Sequence, residues 1–245
     1  MNGRAVLATA GRVLRQLGHD RRTVGMLLVA PCVLLTLFRY VYEDSPQVFD
    51  RVGLPLLGIF PLIVMFLVTS VAMVRERTSG TLERLLTTPM HRFDLLAGYA
   101  LAFGVVALVQ ASLASALVLG PLGLEVAGAE GTVLVLAVTN ALLGMALGLF
   151  LSAFATTEFQ AVQFMPAFLL PQTLLCGLLT PRDQMVWWLR WISDAMPLSY
   201  AVDALDGARL SAAVTGEMVR DGLVVAGCAL LALVAGSATL RRRTP

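Results

Sequence analysis

Six long apolar stretches divide the chain, and short polar connections separate them. Each stretch is close to the roughly 20 apolar residues that an α-helix needs to cross a hydrocarbon layer of about 30 Å. The pattern predicts an all-α integral membrane protein in which residues 1–245 form a single transmembrane domain, with connections too short for a soluble catalytic domain. The predicted spans are residues 24–41, 54–74, 95–120, 132–152, 161–180 and 222–240.

Residues 4–18 have a different pattern, with apolar side chains on one side of a helix and arginines on the other. At about 100° per residue, the apolar face comprises Val6, Ala10, Val13, Leu14 and Leu17. This pattern is typical of a helix in the membrane interface, with its apolar face in lipid and its arginines near the headgroups. A disordered basic segment is the alternative.

The connection before the last predicted span, residues 181–218, contains all three tryptophans of the chain, Trp187, Trp188 and Trp191. Tryptophan favours the membrane–water boundary, where its ring is in an apolar environment and its N–H stays near water. Because apolar and polar positions alternate, we expect an external segment of short helices that dip into the outer leaflet. A simple aromatic belt is the alternative.

Composition supports the membrane assignment and excludes other classes. Apolar residues make up 58% of the chain and charged residues only 14%, whereas soluble domains average about 25% charged residues. So few charges cannot cover a soluble globule, which argues against a soluble enzyme, a disordered protein and a nucleic-acid binder.

The placement of the basic residues predicts the orientation. All 18 basic residues are arginines, and 12 of them lie in the N-terminal segment, the connection after the second span and the C-terminal segment. Short cytoplasmic connections accumulate basic residues. We therefore expect a multi-pass protein of the cytoplasmic membrane with both termini in the cytoplasm. The connections on the opposite side carry the acidic residues Glu43, Asp44, Asp50, Glu125 and Glu130.

The sequence offers little catalytic chemistry. The absence of lysine excludes a Schiff base and a standard phosphate-binding loop, so any ATP must be bound by another chain. The three cysteines lie in apolar runs and the two histidines lie beside arginines, which predicts no metal site. No predicted span has Asp, Glu or His at its centre, which argues against an ion-coupled transporter and intramembrane hydrolysis. We expect a transport subunit without catalytic residues or a cofactor of its own.

Neutral polar residues and prolines are the remaining candidates inside the membrane. The residues that could line a substrate path are Gln110, Asn140, Gln163, Gln172 and Tyr200. Hydrogen bonding between helices is the alternative role for such residues. Proline bends a helix. The second span contains Pro55 and Pro61, and the fifth span, which corresponds to it in the other half of the chain, contains Pro166 and Pro171. These four prolines are possible hinges. Gly144 and Gly148 have the small-xxx-small spacing of close helix packing.

The connection after the second span is the most informative segment. It reads Arg75-Glu76-Arg77-Thr78-Ser79-Gly80-Thr81-Leu82-Glu83-Arg84-Leu85-Leu86-Thr87-Thr88-Pro89. Gly80 and Pro89 bound a short amphipathic pattern, which predicts a helix over residues 81–88 with a leucine face. Such a helix suits a groove on a partner protein. A basic turn that only anchors the topology is the alternative.

These residues resemble a known family. Residues 75–85 match the Arg-Glu-Arg-x-x-Gly-Thr-Leu-Glu-x-Leu pattern of type-2 ATP-binding-cassette (ABC) transporter permeases, and residues 196–205 resemble that family's second, looser motif before the last span. The chain looks most similar to bacterial drug and antibiotic exporters. The resemblance implies a permease subunit that moves a drug, lipid or lipid-linked glycan.

The resemblance also implies partners and site residues. A second permease, identical or paralogous, and two ATPase subunits that bind ATP and Mg²⁺ would complete the transporter within the lipid membrane, without nucleic acid. Residues 81–88 would be the coupling helix. The ATPase-coupling residues would be Arg75, Glu76, Arg77, Gly80, Thr81, Leu82, Glu83, Arg84 and Leu85. A channel or scaffold, and a lipid-modifying membrane enzyme using Asp183, Asp194, Asp203 and Asp206, are the alternatives.

Overall fold

The computed structural model describes residues 3–80 and 92–239, and these two ranges are helical, without any strand. The prediction of an all-α protein is therefore confirmed. The helices are α1 (Gly3–His19), α2 (Arg21–Val41), α3 (Pro46–Thr78), α4 (Arg92–Leu119), α5 (Glu130–Leu151), α6 (Glu158–Leu175), α7 (Trp187–Asp194), α8 (Pro197–Leu210) and α9 (Gly216–Thr239).

Five helices in the described ranges are long and apolar enough to cross a membrane. They are α2, α3, α4, α5 and α9, and the span of α5 includes the 3₁₀ turn Ser152–Phe154 that follows it. Helix α6 lies where another span is predicted, but it ends at Leu175 instead of continuing to residue 180. Gly177 has a φ of +97°, a left-handed conformation that stops a helix. The glutamines of α6 also make it less apolar than the other long helices.

Helix α3 is central to the bundle. It contacts α2, α4, α5, α6 and α8, and its most extensive contact is with α5. As their spacing predicts, Gly144 and Gly148 of α5 allow this close approach. A Cβ atom at Gly144 would lie 2.2 Å from the Leu62 carbonyl oxygen, and one at Gly148 would lie 2.5 Å from the Phe66 carbonyl oxygen.

The N-terminal helix packs on protein and not only on lipid, which corrects the prediction for its apolar face. Ala10 and Val13 are buried against the bundle, and α1 packs on α4. A Cβ atom at Gly98 of α4 would lie 2.6 Å from the Thr9 side chain. The missing side chain at Gly98 therefore lets α4 approach α1 and cover the face that was expected to enter lipid.

The segment before the last span, which is predicted to be external, contains the helices α7 and α8. Tryptophans on α7 are exposed, with Trp187 at 67% and Trp191 at 71% of their full surface. Helix α8 is instead part of the core, because most of one face is buried against α3, α5 and α9. The short helices predicted over residues 181–218 are therefore present, but α8 packs in the core of the bundle whereas α7 is an exposed aromatic helix.

The bundle has two ends, which we name by their short helices. The α1 end contains α1, the last turn of α3 and the first turn of α4. The α8 end contains α7, α8, the start of α3 and the start of α9. At this end the backbone amides of Ala127 and Gly128 donate hydrogen bonds to carbonyl oxygens at the end of α8.

The close contact between α3 and α5 leads to a stability prediction. Gly148→Val should lower the free energy of unfolding of the detergent-solubilised protein by about 1–3 kcal/mol, because the new side chain overlaps the α3 backbone. Thermal unfolding would measure this change. The matched control is Gly227→Val on α9, where a Cβ atom meets nothing within 4 Å. Equal thermal unfolding of both variants would contradict this account of the contact.

Candidate functional site

An ion pair between the buried Glu76 and the half-buried Arg12 ties the last turn of α3 to α1 and α4. Arg12 Nη1 donates a hydrogen bond of 3.1 Å to Glu76 Oε1, and Arg12 Nη2 donates one of 2.5 Å to the Tyr99 hydroxyl. Glu76 is only 6% exposed and Tyr99 only 1%. We call these three residues the anchor cluster. Hydrogen bonds between charged groups are stronger than neutral ones, so the cluster fixes three helices relative to one another.

The residues on either side of Glu76 hold two further elements. Arg75 makes a two-point contact with Glu158 at the start of α6, through hydrogen bonds of 2.9 and 3.1 Å. Arg77 Nη1 donates a hydrogen bond of 3.2 Å to the carbonyl oxygen of Ala153 in the turn after α5. Three consecutive side chains on a helix point about 100° apart, so this one turn holds neighbours on three sides.

The chain leaves this turn at Gly80, whose φ of +71° is the left-handed conformation that ends many helices. The predicted helix 81–88 and the predicted coupling residues Thr81, Leu82, Glu83, Arg84 and Leu85 lie outside the described residues. The other predicted coupling residues, Arg75, Glu76, Arg77 and Gly80, form the base from which this connection leaves. The structure therefore places the first three of them in contacts within the bundle.

An apolar cavity of about 300 Å³ adjoins the anchor cluster. Its aliphatic wall comprises Val13, Leu17, Leu67, Val68, Val71 and Ala72. The aromatic rings of Tyr99 and Phe103 add to this wall. The polar lining residues are Arg12, Gln16, Asp20, Thr23, Arg75, Glu76 and Ser79. A mostly apolar pocket with a few convergent polar groups is the usual form of a small-molecule site. Sequence reasoning missed this site, since side chains from four helices meet only after packing.

The residues predicted to line a substrate path do not come together. Gln110 is buried and donates a 2.7 Å hydrogen bond to the Leu27 carbonyl oxygen of α2. Asn140 packs against α3, since a Cβ atom at Gly58 would lie 2.6 Å from its Nδ2 atom. Gln110 therefore matches the alternative role of hydrogen bonding between helices, whereas Asn140 Nδ2 has no hydrogen-bond partner among the described residues and makes a packing contact only.

The other three path candidates are on α6 and α8. Gln163 is exposed on α6, and Gln172 is buried, with its amide group donating to the Phe168 carbonyl oxygen at 3.3 Å. The Tyr200 hydroxyl donates a hydrogen bond of 2.7 Å to the Asp194 carbonyl oxygen. None of the five candidates lines the apolar cavity at the α1 end.

The prolines lie in two helices that contact each other, α3 and α6. Pro55 and Pro61 are buried within α3, whereas Pro166 is half-buried and Pro171 is exposed in α6. Helix α2 also contains an internal proline, Pro31, which is buried. Internal prolines therefore also occur outside α3 and α6. Their presence in these two helices is weaker evidence for matching hinges than the sequence indicated.

The acidic residues of the external segment are mostly paired with arginines. Arg182 donates hydrogen bonds to Asp194 and Asp203, and Arg209 pairs with Asp206 at 3.3 Å. Burial raises the pKa of Asp203 and Asp206 above the usual range, while the neighbouring arginines oppose this effect. Arg182 therefore joins α7 to α8 through Asp194 and Asp203, whereas the pair of Arg209 and Asp206 lies within α8.

The anchor cluster leads to a prediction about stability: the ion pair of Arg12 with the buried Glu76 should contribute more than the exposed pair of Arg75 with Glu158. Glu76→Met leaves the charge of Arg12 without its partner and should destabilise the protein on the order of 2 kcal/mol in thermal unfolding. Adding Arg12→Met should restore part of this loss, since no unpaired charge then remains. The control is Arg75→Met, whose pair with Glu158 is exposed and should contribute less than about 1 kcal/mol. A double variant no more stable than Glu76→Met would refute this reading.

Comparison with known proteins places this geometry in a family. The chain is 28% identical over 148 residues to the probable multidrug ABC transporter permease YbhR of Escherichia coli (strain K12), which covers 60% of this chain and 40% of that protein. It is 28% identical over 141 residues to the inner membrane transport permease YhhJ of the same organism, covering 57% of this chain and 38% of that protein.

A third relative matches over a smaller share of its own length. ABC transporter G family member 20 of Dictyostelium discoideum is 27% identical over 138 residues, which is 56% of this chain but 19% of that protein. The chain thus spans less than half the length of each of these relatives. The family model described as ABC-2 type transporter matches residues 4–209, from α1 to the end of α8. The chain therefore belongs to the ABC-2 type transporter family.

Proposed function

We propose that the chain is the membrane subunit of an ABC exporter in a bacterial cytoplasmic membrane. It would move an amphipathic or hydrophobic substrate, such as a drug, a lipid or a lipid-linked glycan. A separate ATPase subunit would bind ATP with Mg²⁺ and supply the energy. The observation that carries the proposal is the family match over residues 4–209, which includes the connection between α3 and α4. Two of the bacterial relatives are named as permeases, and the name of one includes multidrug transport.

Two features of this chain support that proposal. It has no lysine, so it lacks the residue that completes a standard phosphate-binding loop. The cavity at the α1 end has an aliphatic wall and a polar margin, which suits a molecule with an apolar body and a polar group. The chain would therefore bind the transported molecule while another chain binds the nucleotide.

The charge distribution supports an orientation with the α1 end in the cytoplasm. Arginines are concentrated in the segments at this end, as expected for cytoplasmic connections. Both termini would then lie in the cytoplasm, which requires an even number of crossings. Helix α6 would supply the sixth crossing, together with the residues between Leu175 and the turn at Arg182.

We assign the contact with the ATPase to the predicted coupling helix, residues 81–88, and we assign to the anchor cluster the transmission of its motion. Glu76 is buried against Arg12 and Tyr99, so it would act through α1 and α4 and would not contact the ATPase directly. A displacement of the connection would then move the end of α3 as a unit with these helices. The complete transporter would contain two ATPase subunits and a second permease, identical or paralogous.

Charge reversal in the connection tests the assigned ATPase contact. Glu83→Arg should reduce co-purification of the ATPase and substrate-stimulated ATP hydrolysis by about 10-fold or more, since it replaces an attractive charge with a repulsive one. Expression and thermal stability of the permease should stay unchanged. The matched control is Glu125→Arg, an exposed acid in the connection at the α8 end. Unchanged hydrolysis in Glu83→Arg would remove this residue from the interface.

Straightening α6 tests the hinge proposal. Pro166→Ala with Pro171→Ala restores two backbone donors and removes two ring clashes. Transport per ATP hydrolysed in proteoliposomes should change several-fold while assembly with the ATPase stays intact. The control is Pro46→Ala, because Pro46 occupies the first turn of α3 and does not interrupt it. Wild-type transport kinetics in the α6 variant would show that these prolines are not hinges.

A further inference from the structure

A second cavity, of about 540 Å³, opens at the α8 end of the bundle. Arginines from five different elements converge on it. They are Arg51 of α3, Arg182 of the 3₁₀ turn before α7, Arg190 of α7, Arg209 of α8 and Arg220 of α9. Since these positions range from residue 51 to residue 220 and belong to five elements, the packing of the helices brings them to one wall.

This convergence is unexpected because most arginines of the chain lie in the basic segments and few are available at the α8 end. Six arginines lie outside the basic segments of the α1 end, and five of these six line the cavity. The sixth, Arg39, donates a hydrogen bond of 3.3 Å to the Leu122 carbonyl oxygen and does not line it. Gathering like charges at one place in a membrane protein costs free energy unless they are compensated.

Aspartates compensate three of the five arginines. Arg182 pairs with Asp194 and Asp203, Arg209 pairs with Asp206, and Arg220 pairs with Asp221.

Two arginines of this wall form no ion pair with a described residue. Arg51 and Arg190 have no carboxylate within 4 Å in the described part of the chain. Asp183, also in the wall, is the one lining carboxylate that makes no ion pair with a described residue. These three side chains together carry one net positive charge, whereas the paired residues carry one net negative charge because Arg182 contacts two aspartates.

We propose that this cavity binds a phosphate group, with Arg51 and Arg190 as its principal ligands. A guanidinium group is planar, keeps its charge and can donate two parallel hydrogen bonds to a phosphate. The paired arginines beside them are already compensated, so a phosphate would satisfy the two that are not.

The position of the cavity indicates where that phosphate comes from. Helix α7 carries Arg190 and also the exposed Trp187 and Trp191, whose rings pack edge to face at 5.5 Å. Exposed tryptophans mark the headgroup level of a membrane. The phosphate of a phospholipid, or of an exported amphiphile, therefore lies at the same depth as the cavity, and free phosphate could reach it from the solvent.

Binding can be measured without an ATPase and without transport, so failure of this test would leave the proposed exporter function standing. All three tryptophans of the protein lie in α7, so intrinsic fluorescence reports from the rim of the cavity. Protein in a neutral maltoside detergent would be titrated with dioctanoyl phosphatidic acid. Dioctanoylglycerol, with the same chains and no phosphate, tests for apolar binding alone, and inorganic phosphate serves as the competitor.

We expect saturable binding of phosphatidic acid that Arg51→Gln and Arg190→Gln each weaken on the order of 10-fold. The double variant should weaken it further, and Arg39→Gln, the arginine at this end outside the cavity, should leave it unchanged. Circular dichroism and thermal unfolding would verify that the variants fold. The single variants keep the test valid if the double variant is unstable.

The competitor distinguishes the sources of the phosphate. Displacement by inorganic phosphate would show a site for the phosphate group alone, and binding of the lipid without such displacement would show a headgroup site that also needs the chains. Either result, with the arginine dependence, supports the proposal. Equal binding of dioctanoylglycerol, or binding that Arg51→Gln and Arg190→Gln leave unchanged, would overturn it.

Discussion

The close contact between α3 and α5 is the constraint on which the rest of the structure depends. Lipid is as apolar as the side chains that face it, so membrane helices associate through tight packing and not through exclusion of water. Gly144 and Gly148 provide that packing by letting the α3 backbone touch α5. With this pair fixed, α2, α4, α6 and α8 take their places around α3.

Helix α3 borders both cavities, which makes it the element that connects the two ends of the bundle. Leu67, Val68 and Val71 contribute to the apolar cavity, and Arg51 and Pro55 contribute to the arginine-lined cavity. Its last turn is held on three sides by ion pairs and hydrogen bonds. A force applied at the connection after Gly80 would therefore act on a helix that reaches both cavities.

The sequence predicted the helical class, the positions of the long helices and the family to which the chain belongs. It predicted the residues of the site less well. Glu76 reads as one charge in an exposed basic connection, but in the fold it is buried against Arg12, which lies 64 positions away. Gln110 reads as a possible path residue, but it bonds the backbone of α2. In both cases the partner comes from a distant segment that local periodicity cannot identify.

Hydrophobic length and charge placement are local properties, because each span must satisfy its own backbone hydrogen bonds in lipid. The sequence by itself therefore determined that this protein is a helical membrane protein and where its main helices lie. The tertiary structure alone decided that α1 packs on α4, that α8 joins the core and that five arginines share one cavity. These features depend on which helices are neighbours, and that choice follows from the packing of whole helix surfaces.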